Sequence, residues 1–138
     1  MLEGQRGFFK PRGFIPFDAT PNHLSYYTTD KLKETLAEFV DLKLLNNPKN
    51  MKVSVGAVNV RTGNYTVFSN ESMELTFDHI IASGALPPGF PAVEIDGDYY
   101  WDGGLVSNTP LNEILSHEEH LKQLIFQVDL WNAKGTVP

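Results

Sequence analysis

Apolar positions along the chain change period several times, and each change predicts an element. Leu32, Leu36, Phe39 and Val40 recur every three to four residues, with Lys31, Lys33, Glu34 and Glu38 between them. That spacing predicts an amphipathic helix. Thr28-Thr29-Asp30 opens it with a hydroxyl cap and an acidic first turn, and it stops before Asn46-Asn47-Pro48. From Met51 to Val60 the pattern becomes strand-like, with Val53, Val55, Ala57, Val58 and Val60. Arg61-Thr62-Gly63-Asn64 predicts a turn and Tyr65–Phe68 a returning strand. A short helix is expected over Phe77–Ser83. A second hairpin follows, Val93–Ile95 and Tyr99–Trp101 around Asp96-Gly97, a dipeptide with strong turn preference. Pro110 begins a helix reaching about Ser116, and Leu124–Leu130 reads as a buried strand. Alternating helices and strands predict an α/β layer architecture.

Residues 1–27 fit neither period. Glycines and prolines separate Phe8, Phe9, Phe14 and Phe17, so the segment reads as irregular backbone whose aromatics cover a core that the chain has not yet formed. No internal repeat, low-complexity tract or linker interrupts the chain.

The chemistry concentrates between Ile80 and Leu111. There a strand ends in Asp102-Gly103-Gly104, placing a carboxylate at a strand end on backbone that glycine allows to bend sharply. Strand ends are where ligands and catalytic groups collect in open α/β sheets. From Asp-Gly alone, an ordinary turn is the simpler reading. A carboxylate of pKa roughly 4 is a weak base until burial or its neighbours raise its basicity. Trp101, Leu105 and Val106 are the residues expected to desolvate Asp102, and Asn108 to hold the loop by bonding to backbone.

Composition removes several alternatives. The 138 residues carry 41% hydrophobic and 20% charged residues, enough for one modest core. The formal net charge of -6 predicts no nucleic-acid partner. With no cysteine there is neither thiolate catalysis nor a zinc–cysteine site. Asp96, Asp98 and Asp102 do not make an EF-hand, because Tyr100, Trp101 and Ser107 stand where further ligands and the turn glycine belong. His23, His79, His117 and His120 lack metal-ligand spacing, and Ser116–His120 reads as a solvated face. No metal and no cofactor is expected. No window reaches the roughly 18 apolar residues of a membrane span, and no signal-peptide core begins the chain; a cytoplasmic protein, peripheral to membranes at most, is expected.

Ala82-Ser83-Gly84-Ala85-Leu86-Pro87-Pro88, then Tyr100-Trp101-Asp102-Gly103-Gly104, then Asn108-Thr109-Pro110-Leu111, resemble the C-terminal portion of the patatin-like phospholipases. The resemblance is specific over about residues 80–111. The flanking runs Val53–Val60 and Phe126–Trp131 look like the bacterial branch of that family. The family's members are serine acyl hydrolases with a Ser-Asp dyad, the Asp lying in a D-G-[GA] motif. The resemblance therefore implies a three-layer α/β domain, a lipid ester substrate and Asp102 as the catalytic Asp. Gly103, Gly104, Asn108 and Pro110 are its supporting motif residues.

The expected nucleophile is absent. A hydrolase of this type requires G-x-S-x-G on a strained strand-to-helix turn and a glycine-rich oxyanion loop. Ser54 has Gly56 two residues after it but Lys52 two before, Ser83 and Ser107 lack both flanking glycines, and Gly4-Gln5-Arg6-Gly7 has neither a preceding strand nor a following serine elbow. Residues 1–138 accordingly read as a partial domain, inactive alone and prone to associate through uncovered edges. The alternative is a non-catalytic homologue or binding protein that retains only this portion of the fold.

Overall fold

The computed structural model describes residues 4–13, 21, 24–108, 110–111, 115 and 124–128. Two short strands, β1 (Lys10–Pro11) and β2 (Tyr27–Thr28), pair antiparallel ahead of helix α1 (Asp30–Phe39) and the single turn α2 (Leu42–Leu45). Strands β3 (Ser54–Asn59) and β4 (Tyr65–Ser69) follow. Helix α3 (Phe77–Ala82), strands β5 (Val93–Ile95) and β6 (Asp98–Asp102), and a 3-10 turn at Gly103–Leu105 come next. The main sheet has the order β4-β3-β6-β5 and is antiparallel at every described pairing.

Both expected hairpins form. At the second, Asp96 and Gly97 both have positive φ, 51° and 82°, as a two-residue type I′ turn requires. At the first, the Asn59 side chain accepts from Arg61 N and Thr62 N, both at 3.0 Å, and ties the turn from within. Hairpin signals are local. They do not say that β6 inserts beside β3 and joins the two hairpins into one sheet.

The register sorts the side chains into two faces, since opposite residues share a face and neighbours along a strand alternate. Val55, Ala57, Phe68, Val93, Ile95, Tyr100 and Asp102 fall on one face. Helix α3 covers it, and Ala57, Phe68, Leu75, Ala82 and Ile95 form the core there. Tyr100 meets Phe68 edge-on at 5.2 Å, so this aromatic packs as hairpin core. Gly56, Val58, Tyr65, Val67 and Trp101 fall on the other face.

Several expectations are corrected. The helix predicted to run unbroken from Asp30 to the Asn46-Asn47 stop breaks at Val40, which is extended, because Asp41 starts a new turn by accepting from Lys43 N (2.8 Å) and Leu44 N. Thr29 stands at the start of α1 without a side-chain capping bond, and Phe39, expected on the buried face, is 77% exposed. Residues 124–128 are exposed and belong to no strand, against the buried strand expected there. The N-terminal aromatics do have a partner: Phe8 and Phe9 pack on Tyr27 and Phe90 with centroids 4.7–5.5 Å apart. Phe14, Phe17, His23, His117 and His120 lie outside the described residues, as does most of the predicted Pro110–Ser116 helix, of which Leu111 and Leu115 are helical.

Candidate functional site

Asp102 is the last residue of β6, half-buried, opposite Ala57 of β3. Its backbone N donates to Ala85 O at 3.1 Å, so the loop after α3 and the end of β6 are fastened at this residue. The A-S-G-A and D-G-G motifs, far apart in sequence, thus meet in the fold. Asp102 Oδ1 accepts from Gly104 N at 2.7 Å, which fixes the carboxylate over the first turn of the 3-10 segment. Among the described residues nothing donates to Oδ2. The described residues thus anchor one oxygen of the carboxylate and set no donor on the other.

Gly103 is required by close approach. A Cβ there would meet Gly56 O at 2.6 Å and Tyr65 Cε2 at 3.0 Å, so the chain turns against the backbone of β3 beneath the Tyr65 ring. Gly56 is constrained by the same ring, because a Cβ on it would collide with Tyr65 Oη. Gly56 and Tyr65 are structural partners of the motif that sequence reasoning passed over. Their signal was a single glycine inside a valine-rich strand, which marks close backbone approach. Gly104 is exposed, with the Asn108 amide oxygen 3.1 Å from where its Cβ would stand. Asn108 therefore lies over Gly104. Pro110 lines an apolar cavity of about 190 Å³ on the other sheet face, with Gly56, Tyr65, Val67, Leu111 and Phe126.

Of the groups expected to desolvate Asp102, one points elsewhere and two stand partly in solvent. Trp101 alternates to the opposite face, and Leu105 and Val106 are 47% and 58% exposed. Half-burial of Asp102 comes from its place beside Ala57 and Ala85.

Three of the described serines are occupied or misplaced. Ser83 Oγ donates to Ile80 O at 2.8 Å, and Ser25 Oγ donates to Tyr27 O at 2.7 Å. Ser54 is three residues from Ala57 along β3, hence on the face opposite Asp102.

A family model of the patatin-like phospholipases matches residues 7–115. The chain belongs to the patatin-like phospholipase family. The match begins well before residue 80, so the aromatic N-terminal segment, α1 and the first hairpin carry patatin-like sequence as well as the D-G-G region. It places the chain in a lipid hydrolase family of mixed helix and sheet. No curated protein and no solved structure matches it. Among the described residues no helix is long and apolar enough to cross a membrane, and no cluster of three or more His, Cys, Asp or Glu could hold a metal ion.

Proposed function

We propose that these residues form the Asp-bearing, C-terminal part of a patatin-like serine acyl hydrolase, with Asp102 as the base of a Ser-Asp dyad. The observation that carries the reading is the carboxylate itself: Oδ1 is anchored by Gly104 N, and Oδ2 takes no bond from a described residue. The family match and the two motifs joined at Asp102 N···Ala85 O support it. We extend the reading to the family's bacterial branch and to a three-layer domain, of which the sheet and α3 supply two layers.

The nucleophile belongs to a G-x-S-x-G segment that the 138 residues do not contain. As that serine's Oγ attacks the ester carbonyl carbon of a phospholipid or neutral lipid, its proton passes to Asp102. The tetrahedral oxyanion collapses, the C–O bond breaks, and the departing alcohol takes the proton. Asp102 then deprotonates a water that attacks the acyl carbon; the acyl C–Oγ bond breaks, Oγ takes the proton back from Asp102, and the fatty acid is released. No cofactor enters.

A fluorophosphonate probe followed by intact mass tests the reading. The purified chain is expected to take no adduct. A longer chain carrying a G-x-S-x-G segment is expected to take one, on its elbow serine. A stoichiometric adduct on residues 1–138 that disappears in Asp102→Asn would place the nucleophile among the serines dismissed above. A longer chain that hydrolyses no lipid ester would favour the non-catalytic homologue.

A further inference from the structure

Two rows of the sheet register show how the D-G-G turn is held from behind. On the face away from α3, Val58 of β3 stands between Tyr65 of β4 and Trp101 of β6. Along β3 on the same face, Gly56 lies opposite Val67, and continuing the β3–β6 register brings Gly103 to its other side. Tyr65 is therefore the diagonal neighbour of Gly56, a separation that an aromatic side chain can span. Its ring takes that diagonal. A Cβ on Gly56 would collide with Tyr65 Oη, and one on Gly103 would stand 3.0 Å from Tyr65 Cε2. A side chain rooted in β4 thus crosses β3 over a glycine and reaches the residue after β6. An aromatic laid over a sheet glycine restores packing that the missing side chain forgoes.

The seat of Gly103 decides the geometry beyond it. Gly103 is buried, and a Cβ there would meet Gly56 O at 2.6 Å, so only bare backbone fits against β3 and the ring. Its carbonyl accepts from Val106 N at 3.0 Å and Ser107 N at 2.9 Å, which ties down the chain running on to Asn108. The next amide, Gly104 N, is the donor that holds Asp102 Oδ1 at 2.7 Å. Gly104 is itself exposed, so the placement of its amide is inherited from Gly103. Ala85 O fastens Asp102 N on one side of the turn, and Gly56 and Tyr65 back Gly103 on the other.

We propose that Tyr65 is a positioning residue for Asp102: its ring, laid across Gly56, seats Gly103 and so sets the Gly104 N···Oδ1 bond that orients the carboxylate. It acts from the opposite face of the sheet and touches no reacting atom. The purpose of the device rests on the dyad reading above, but its first test does not depend on catalysis.

In proton–nitrogen correlation spectra of the chain, the Gly104 amide reports the bond, and its position in Asp102→Ala marks the bond's loss. Tyr65→Leu, which removes the ring, should carry that resonance most of the way to the Asp102→Ala position. Tyr65→Phe keeps the ring and should leave it near the parent's. Gly56→Ala, which drives the ring off from the β3 side, should shift it in the same direction as Tyr65→Leu. In the double variant the added methyl meets no ring, so the two changes together should cost less stability than their separate costs summed. In a longer chain carrying the elbow serine, Tyr65→Leu should lower kcat on the order of ten- to hundredfold with KM little changed, the scale of a small misplacement. Tyr65→Phe should restore it. A Gly104 amide unmoved by Tyr65→Leu overturns the proposal. So does a Tyr65→Phe chain as displaced as Tyr65→Leu, which would assign the effect to the hydroxyl. A shift spread evenly over the sheet overturns it too, by making Tyr65 ordinary packing. Should Tyr65→Leu fail to fold, Gly56→Ala decides, by moving Gly104 or leaving it in place. A longer chain without esterase activity would sink the dyad reading and leave the amide result standing.

Discussion

At the scale of single residues, Asp102 does two things that substitution can separate. As an acceptor for Gly104 N it holds the 3-10 turn, and as a carboxylate it can take a proton. Asparagine keeps the first capacity and loses the second. In a longer chain that supplies the serine, Asp102→Asn should lower turnover by a factor on the order of 10³ or more while thermal stability stays nearly level. Asp102→Ala should lose turnover and also about 1 kcal/mol of stability, the ordinary cost of a lost cap. Thermal melts beside initial rates distinguish the two. Gly103 makes a sharper case, because an added methyl would stand 2.6 Å from Gly56 O, against backbone that cannot swing aside. Gly103→Ala should destabilise by about 1–3 kcal/mol by denaturant titration, as overpacking does. Gly104→Ala faces Asn108 and the Asp102 carboxylate, both side chains, and should cost less.

At the scale of elements, α3 is tied to pH through His79. The residue is buried, stacks edge-on with Phe68 at 4.6 Å, and accepts from Thr76 N through Nδ1 at 2.9 Å. It thus fills the place that Glu or Gln takes in a capping box. Burial holds the imidazole below its ordinary pKa of 6.5, against the opposing pull of Asp96 and Asp78. Since the unfolded chain binds the proton more readily than the folded one, this group's contribution is complete above pH 6.5. It is lost progressively as pH falls from 6.5 towards the lowered folded value. Protonation would also remove the Nδ1 acceptor and release the first turn of α3. Denaturation midpoints measured between pH 8 and pH 5 should therefore fall, and His79→Gln, which retains an acceptor without a titrating ring, should flatten that slope.

At the scale of the whole molecule, the sheet has one well-covered face and a thin core. Of the buried hydrophobic residues, Leu75 is the one large side chain withdrawn almost fully from water among those described. Among the described residues strands β4 and β5 are the sheet's edges, and Phe39, Leu124, Phe126 and Val128 are exposed. Unpaired edges and uncovered apolar residues favour association. Sedimentation velocity of the isolated chain should show concentration-dependent species, and its melt should be broad. A monodisperse monomer with a sharp two-state transition would count against the partial-domain reading.

The sequence by itself determined whatever depends on neighbours in the chain. The Asp96-Gly97 turn, both hairpins, the start of α1 and the short α3 follow from local dihedral preference and periodicity. The D-G-G motif was legible through the Ala82–Pro88 and Asn108–Leu111 runs around it, since Asp-Gly alone reads as an ordinary turn. Only the tertiary structure decided what depends on distance. It set β6 beside β3, which joins the hairpins and brings Ala85 to Asp102. It turned Trp101 away from Asp102, because alternation along β6 outweighs adjacency in sequence. It found partners for Phe8 and Phe9 some eighty residues on, at Phe90, and it left residues 124–128 outside the sheet that their hydrophobicity had predicted. Burial and pairing are properties of the assembled surface, and a run of apolar residues does not specify which surface will receive it.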